Sequence, residues 1–249
     1  MMTRTDVAAF LRSRDHFVIL THRRPDGDTT GSAAALCRGL RAIGKDAFVL
    51  DNPQFTARFR PFVAGLTCPS VPDGATIVST DIASEELLCF GAEDLAAQLS
   101  LVIDHHGRNS LSCGSRLVEA DRAACAEIIY DILCELGAPI DKATAEALYV
   151  GIATDTGCFK YSNVTGDTFR TAAALVDLGA DIAPINKVFF DTKSFSRLKL
   201  EARLTGSVEL YAGGLVGLCT LPKRWIQELG ITEDDIDSIS GFARSIEGV

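Results

Sequence analysis

Short apolar runs that alternate with helical patterns constrain the fold of this 249-residue chain most strongly. The runs contain consecutive aliphatic residues instead of alternating polar and apolar ones, which is typical of strands covered on both faces. Strands that alternate with helices along a chain indicate a parallel sheet. We therefore predict an α/β fold with a mostly parallel sheet flanked by helices. The predicted strands are residues 16–20, 47–50, 75–81, 99–104 and 115–119.

Helical periodicity and turn residues define the predicted domain organisation. Near residue 195 a charged helix precedes two short apolar runs around Ala212-Gly213-Gly214, a pattern that favours a hairpin. We predict a first domain over residues 1–194, a connecting helix over 195–206 and a partial second α/β domain over 207–249. The predicted helices are residues 1–15, 31–43, 55–64, part of 84–98, 123–136, 141–153 with Asp141 as the cap, 165–178, 182–190, 223–229 and 233–246.

The bulk composition excludes several classes of protein. A net charge of −9 argues against a broad, non-specific nucleic-acid surface, although it permits a small anionic substrate at a metal site. No apolar stretch reaches the length of a membrane span, and the N-terminus is a poor signal peptide, so we expect a cytoplasmic protein. The eight cysteines lack any C-x-x-C spacing, which excludes zinc-finger and thioredoxin-like sites and indicates reduced thiols.

Four segments of the chain end in acids or imidazoles, and three of them follow predicted strands. Ligands bind beyond the carboxyl ends of the strands in open α/β sheets, so these side chains should meet there. Converging carboxylates repel one another unless a cation neutralises them. Imidazole and carboxylate ligands without thiolates favour manganese. The residues are His22, Asp26, Asp28, Asp81, Asp104, His105, His106 and Asp155.

About six of these side chains could serve as ligands, which exceeds the needs of one ion. Two divalent ions about 3.5–4 Å apart, sharing a bridging carboxylate and a water, would use all of them. Such a pair activates water and stabilises an in-line displacement at phosphorus. A calcium-binding loop starting at Asp26 is rejected because its twelfth position is Cys37 instead of glutamate. A phosphate loop ending at Lys45 is rejected because Asp46 replaces the required serine or threonine.

The ordered set of motifs resembles the DHH phosphoesterase superfamily. The motifs are His22-x-x-Pro25-Asp26-Gly27-Asp28, Asp81, Asp104-His105-His106 and Asp155. Within that superfamily, the segment from Asp155 to Thr165 resembles bacterial phosphodiesterases of short RNA that also dephosphorylate 3′-phosphoadenosine 5′-phosphate. The resemblance implies a phosphoric ester hydrolase that uses two divalent ions, most simply manganese, on short RNA or a small nucleotide.

The resemblance also implies a role for each residue. One metal would be bound by His22, Asp26 and Asp81, and the second by Asp28, Asp81, His105 and Asp155, so that Asp81 bridges. His106 would face the scissile phosphate as an electrophile or proton donor, and Asp104 would orient the imidazoles. We add Arg108 and Lys160 as candidate phosphate contacts, although such residues are more often solvated surface charges.

One departure from the family leaves alternatives open. Family members continue beyond the segment resembling residues 245–249 into a glycine- and histidine-rich substrate loop, and this sequence contains no such motif. Either the sequence is cut short or it is a natural short form, which leaves nucleotide specificity and a homodimer open. Inorganic pyrophosphatase and cyclic-dinucleotide phosphodiesterase are alternative activities, the former disfavoured by Gly27 where that family has threonine. An inactive metal-binding remnant is the alternative outside the enzymes.

Overall fold

The computed structural model describes residues 1–236 and 239–249. The chain divides into two compact units, Met1–Phe190 and Asp191–Val249. The boundaries predicted at residues 194 and 206 stay predictions. None of the described helices is long and apolar enough to cross a membrane.

A six-stranded parallel sheet forms the centre of the first unit. Its order is β3-β2-β1-β4-β5-β6, and every pair of neighbours is parallel. This arrangement confirms the predicted fold class. The two-residue strand β3 was not predicted, because two residues are too few to show a periodic pattern. The strands are β1 (Phe17–Leu20), β2 (Ala47–Leu50), β3 (Thr67–Cys68), β4 (Thr76–Thr80), β5 (Leu101–Asp104) and β6 (Arg116–Val118).

The two faces of the sheet are covered differently. In β1, Phe17 and Ile19 belong to a large core cluster shared with the long helices, whereas Val18 and Leu20 belong to a smaller cluster on the other face. Helices cover the first face, and two 3₁₀ helices with their loops contribute to the second. The predicted helix within residues 84–98 is therefore wrong in type, since the chain there forms Glu85–Leu87 and Glu93–Gln98 as 3₁₀ turns.

The helices of the first unit begin at recognisable caps. The Asp26 carboxylate caps α2, and the Asp141 carboxylate accepts the Thr144 N–H at the start of α5, as predicted. Gly137, with a φ of 63°, ends α4 in the left-handed conformation. Within the helix predicted over residues 55–64, only the single turn Arg60–Val63 is helical. The helices are α1 (Arg4–Ser13), α2 (Gly27–Ala42), α3 (Arg60–Val63), α4 (Cys125–Leu136), α5 (Lys142–Asp155), α6 (Gly166–Asp177) and α7 (Ile182–Asn186), followed by a π-helical turn at Lys187–Asp191.

Helices α2 and α5 approach closely because glycines lie at their crossing. A Cβ atom on Gly31 would overlap the backbone oxygen of Ala147, and one on Gly151 would meet Ala126 and Asp28. The crossing matters for the candidate site because Asp26 caps the start of α2 and α5 ends at Asp155.

The second unit contains α8 (Phe195–Thr205), β7 (Glu209–Tyr211), β8 (Val216–Leu218), α9 (Lys223–Leu229) and α10 (Glu233–Ile236). Strands β7 and β8 pair antiparallel around Ala212–Gly214, which confirms the predicted hairpin. The helix predicted over 233–246 includes residues 237 and 238, which lie outside the described residues. The described remainder is α10 and the 3₁₀ segment Ile239–Ser245.

Replacing Gly31 with alanine should destabilise the first unit by about 1–3 kcal/mol, because the new methyl group meets a backbone oxygen that cannot rotate away. Urea denaturation measures the change. Gly114→Ala is the matched control, since no atom lies within 4 Å of the Cβ built at Gly114. Equal stability of the two variants would contradict the close helix crossing.

Removing the Asp141 cap should cost about 1 kcal/mol at neutral pH. Hydrogen bonds from Thr144 hold the pKa of Asp141 below its ordinary value of 3.8, so the charged cap is the stabilising form. The stability difference between wild type and Asp141→Ala should therefore be full above pH 3.8 and shrink as pH falls through the folded-state pKa. Denaturant titrations across this range measure it, and a difference that grows with acid would refute the assignment.

Candidate metal centre

The candidate site lies at the carboxyl ends of the parallel strands. In the order β3-β2-β1-β4-β5-β6, the chain changes direction across the sheet between β1 and β4. Such a switch point leaves a crevice beyond the strand ends, where open α/β sheets bind ligands. His22 lies two residues after β1, Asp81 directly follows β4, and His105 directly follows β5. Each of the three central strands, β1, β4 and β5, is thus followed by one side chain of the candidate site.

His22, Asp26 and Asp81 form the first group of ligand atoms, all within 4.8 Å of one another. His22 Nε2 lies 3.4 Å from Asp26 Oδ1 and 3.8 Å from Asp81 Oδ2. Its Nδ1 lies 2.8 Å from the Arg23 carbonyl oxygen and donates to it, which leaves Nε2 facing the acids. Asp26 also accepts the N–H of Asp28 and so starts α2. Helix capping and ligand placement therefore use the same carboxylate.

Asp28, His105 and Asp155 form the second group. His105 Nε2 lies 3.2 Å from Asp155 Oδ2 and 3.7 Å from Asp28 Oδ2. Asp28 is fully buried and accepts the backbone N–H groups of Cys125 at 2.6 Å and Ala126 at 2.9 Å. These are the first two residues of α4, whose N-terminal dipole favours a negative charge. The fold therefore holds this buried acid before any cation binds.

Asp81 joins the two groups. Its Oδ2 faces His22, while its Oδ1 lies 3.4 Å from His105 Nε2 and 3.5 Å from His106 Nδ1. Oδ1 is buried without a hydrogen-bond partner among the described residues. The backbone of Asp81 has a φ of 60°, a left-handed conformation that non-glycine residues adopt rarely and mostly at functional sites. One oxygen toward each group is the arrangement that a bridging ligand needs.

His106 has different surroundings from its neighbour His105. Its Nδ1 donates to Asp104 Oδ1 at 2.8 Å, and its side chain is 48% exposed. Asp104 is fully buried and also accepts the Asn109 amide at 2.6 Å. Burial would raise the pKa of Asp104, but these hydrogen bonds from His106 and Asn109 outweigh it and hold the pKa below its usual value. Asp104 is thus an ionised support under a half-exposed imidazole.

The imidazoles facing the acids retain their protons strongly. Burial disfavours protonated His105, but the carboxylates of Asp155 at 3.2 Å and Asp81 at 3.4 Å outweigh it and raise its pKa to about 12. Burial of His22 is outweighed in the same way by Asp26 and Asp81, and its pKa rises to about 9. Protons on these rings balance part of the negative charge that the carboxylates bring together.

The acids at the centre of the site resist ionisation. Burial raises the pKa of Asp81 to about 6 against the opposing attraction of the His105 imidazole 3.4 Å away. Burial and repulsion from Asp81 and Asp155 raise the pKa of Asp28 well above its ordinary value. Excess negative charge, an unpartnered buried oxygen on Asp81 and a donor set of imidazole nitrogens and carboxylate oxygens fit divalent transition-metal ions.

The predicted phosphate contacts lie outside these groups. Arg108 and Lys160 are both exposed. Arg108 follows His106 by two residues, and Lys160 lies in the turn after α5, where its backbone N–H donates to the Thr156 carbonyl. Their roles stay predictions, as do the individual roles of the six metal-ligand candidates.

Several supporting residues were not predicted from the sequence. Asn109 supports Asp104, the amides of Cys125 and Ala126 hold Asp28, and the Arg122 carbonyl oxygen lies 3.2 Å from His105 Nδ1. Backbone groups carry no side-chain signal, so sequence inspection could not find the last three. Asn109 carried a weak signal as an amide shortly after the histidine pair.

A family model described as "DHH family, N-terminal domain" matches residues 16–152. The chain is 32% identical over 234 residues to the "Bifunctional oligoribonuclease and PAP phosphatase NrnA" of Thermus thermophilus, covering 92% of this chain and 69% of that protein. It is 24% identical to the Bacillus subtilis protein of the same name, covering 99% of this chain and 79% of the relative. The chain belongs to the DHH family, as predicted.

Solved structures agree on the fold. An exopolyphosphatase-related protein from Bacteroides fragilis superimposes with a TM-score of 0.88 at 24% identity, covering 99% of this chain and 77% of that one. A putative family II inorganic pyrophosphatase from Methanococcus jannaschii matches with a TM-score of 0.54 at 20% identity, covering 76% and 65%. At these identities the similarity concerns the architecture alone.

Asp81→Ala should abolish one metal-binding event and weaken the other by more than about 100-fold, because supporting contacts alone are worth about 10–100-fold in metal affinity. Titration calorimetry of Mn²⁺ into metal-free protein measures stoichiometry and affinity. Asp46→Ala is the control. Asp46 also faces an imidazole, that of His16 at 3.2 Å, but this pair lies before the starts of β1 and β2, whereas Asp81 follows the end of β4. Unchanged Mn²⁺ binding by Asp81→Ala would exclude the bridging role.

Proposed function

We propose that this chain hydrolyses short oligoribonucleotides and 3′-phosphoadenosine 5′-phosphate. Membership of the DHH family and similarity to the NrnA relatives make the chain a phosphoric ester hydrolase, which is the enzyme class predicted from the sequence. The observation that carries the substrate proposal is the 32% identity to an oligoribonuclease and PAP phosphatase, combined with the convergence of the two groups of acids and imidazoles on Asp81.

Two divalent ions, most simply manganese, would be held by the two groups that share Asp81. His22, Asp26 and Asp81 would hold one ion, and Asp28, Asp81, His105 and Asp155 the other. When bound, such ions activate water as the nucleophile and stabilise the oxygens of an in-line displacement at phosphorus. The convergence of donors on Asp81, with its unpartnered oxygen, supports a shared site.

His106 would act on the substrate directly. Its Nδ1 is occupied by Asp104, which orients the ring and leaves Nε2 for the substrate. The hydrogen bond to Asp104 raises the pKa of His106, so a larger fraction of the His106 side chain is protonated at neutral pH. A protonated Nε2 can donate to a phosphoryl oxygen or to the leaving oxygen. Asp104 would therefore contribute as a positioning residue.

The remaining proposals follow from the substrate. Arg108 and Lys160, exposed on loops after β5 and α5, would contact phosphate oxygens as mobile positive charges in a chain of net charge −9. Short RNA fragments arise where RNA is degraded, so we propose that the enzyme works in the cytoplasm. Assembly as a homodimer is also proposed.

The Mn²⁺-loaded chain should release mononucleotides from a diribonucleotide and phosphate from 3′-phosphoadenosine 5′-phosphate, as measured by chromatography and phosphate release. His106→Asn should reduce turnover by about 10²–10⁴-fold because a positioned proton donor contributes that much. His16→Asn is the matched control, since His16 lies before β1 with only surface acids nearby.

Each contrary outcome identifies an alternative. Hydrolysis of pyrophosphate, or of a cyclic dinucleotide, with both proposed substrates left intact would replace the substrate assignment. Retained Mn²⁺ binding with no hydrolysis of any of them would support the inactive remnant.

A further inference from the structure

A short turn between β6 and α4 is connected to all three members of the second ligand group. The Arg122 carbonyl oxygen lies 3.2 Å from His105 Nδ1, and the N–H groups of Cys125 and Ala126 donate to Asp28. The side-chain amide of Asn163 donates to the carbonyl of Ala123 at 3.1 Å and to that of Asp155 at 3.2 Å. Residues 122–126 are called the support turn below.

The start of the support turn is tied to the strand that carries the histidines. The backbone N–H of Glu119 donates to the Asp104 carbonyl at 3.0 Å, and the N–H of Arg122 donates to the Glu119 carbonyl at 3.2 Å. Backbone contacts alone leave a turn free to shift by fractions of an ångström. Side chains must fix it further if ligand positions are to be reproducible.

The Arg122 side chain supplies that constraint. Only 13% of it is exposed, and its guanidinium faces three carboxylates. Nη2 lies 2.5 Å from Asp131 on α4, Nε lies 3.5 Å from Glu119, and Nη1 lies 3.5 Å from Glu127, also on α4. A planar guanidinium can face several acids in fixed directions, which a lysine ammonium cannot do. Arg122 thus connects the end of β6 with the first helical turns of α4.

A second arginine strengthens this network. Arg4, the first residue of α1, lies 2.5 Å from Glu119 and 2.7 Å from Asp131. Glu127 is fully buried, neither of its carboxylate oxygens has a hydrogen-bond partner among the described residues, and the Arg122 guanidinium faces it at 3.5 Å. Removing the Arg122 guanidinium would leave this buried acid without its cation and allow the support turn to relax.

We infer that Arg122 is a positioning residue for the metal-ligand group Asp28, His105 and Asp155. Its carbonyl oxygen, 3.2 Å from His105 Nδ1, orients the ring with Nε2 facing the acids, and its guanidinium fixes the turn whose amides hold Asp28. The inference rests on the proposed metal site. It predicts that Arg122 affects this group and leaves the group of His22 and Asp26 almost unchanged.

The test isolates each group by removing an imidazole from the other. In a His22→Asn background, Mn²⁺ binding should report on Asp28, His105 and Asp155. Adding Arg122→Met should weaken it by about 10–100-fold, as supporting contacts of metal ligands do. In a His105→Asn background, the same change should alter Mn²⁺ affinity by no more than about twofold, because the contacts of Arg122 among the described residues reach Glu119, Glu127, Asp131 and His105 but neither His22 nor Asp26. Titration calorimetry on metal-free protein measures both.

Two further variants separate positioning from general instability. Arg122→Lys keeps the charge but not the forked geometry, so its Mn²⁺ affinity should lie between that of the parent and that of Arg122→Met. If the methionine variant fails to fold, the lysine variant serves as the test. Arg41→Met is the matched control, because partly buried Arg41 donates to the carbonyls of Ala47 and Gly65 and contacts none of the candidate ligands.

A spectroscopic readout follows the His105 ring itself. In Zn²⁺-loaded wild type labelled with ¹⁵N-histidine, the His105 Nδ1–H should give a proton signal protected from exchange, and Arg122→Met should lose that protection. Equal Mn²⁺ affinity of Arg122→Met and its parent in the His22→Asn background, or equal losses in both backgrounds, would overturn the inference. Failure of the His22→Asn parent to bind Mn²⁺ would instead overturn the proposed metal site.

Discussion

The burial of the Asp28 carboxylate against the N-terminus of α4 is the interaction on which the site depends. An isolated carboxylate without solvent contact would protonate or destabilise the fold. Here the amides of Cys125 and Ala126 and the hydroxyl of Ser32 all donate to it. The hydrogen bonds hold a candidate ligand atom at the base of the crevice, and burial together with repulsion from Asp81 and Asp155 keeps the pKa of that carboxyl raised. A crevice lined by such acids favours a cation over an anion.

The helices that surround Asp28 also determine how close the rest of the site can come. Asp28 lies in the first turn of α2, and Asp155 lies at the end of α5. These helices approach closely because Gly31 and Gly151 leave no Cβ between them. Larger residues there would separate the two acids, whatever their chemistry. At this crossing, the close packing of the two helices therefore also determines the distance between Asp28 and Asp155.

The fold and the location of the site were predictable, whereas the supports of the site were not. Unbroken aliphatic runs such as Val102-Ile103 identify parallel strands, and polar residues after such runs must gather at one edge. No comparable pattern marks the left-handed φ of Asp81, since strain arises from tertiary contacts. The support turn also escaped prediction, because its contributions are backbone amides and carbonyls. The 3₁₀ helix at Glu85–Leu87 was not predicted for another reason, because so short a turn shows no helical periodicity.

The two adjacent histidines show how a single strand end produces two chemical environments. His105 is directed toward the buried acids and is 13% exposed, whereas His106 is 48% exposed over Asp104. Each ring has one nitrogen fixed by an acceptor, the Arg122 carbonyl for His105 and the Asp104 carboxylate for His106. A backbone carbonyl or a carboxylate that accepts from one ring nitrogen fixes the orientation of the imidazole and so directs its other nitrogen. The two identical residues, side by side in the sequence, therefore differ in burial and in the acceptor that orients each ring.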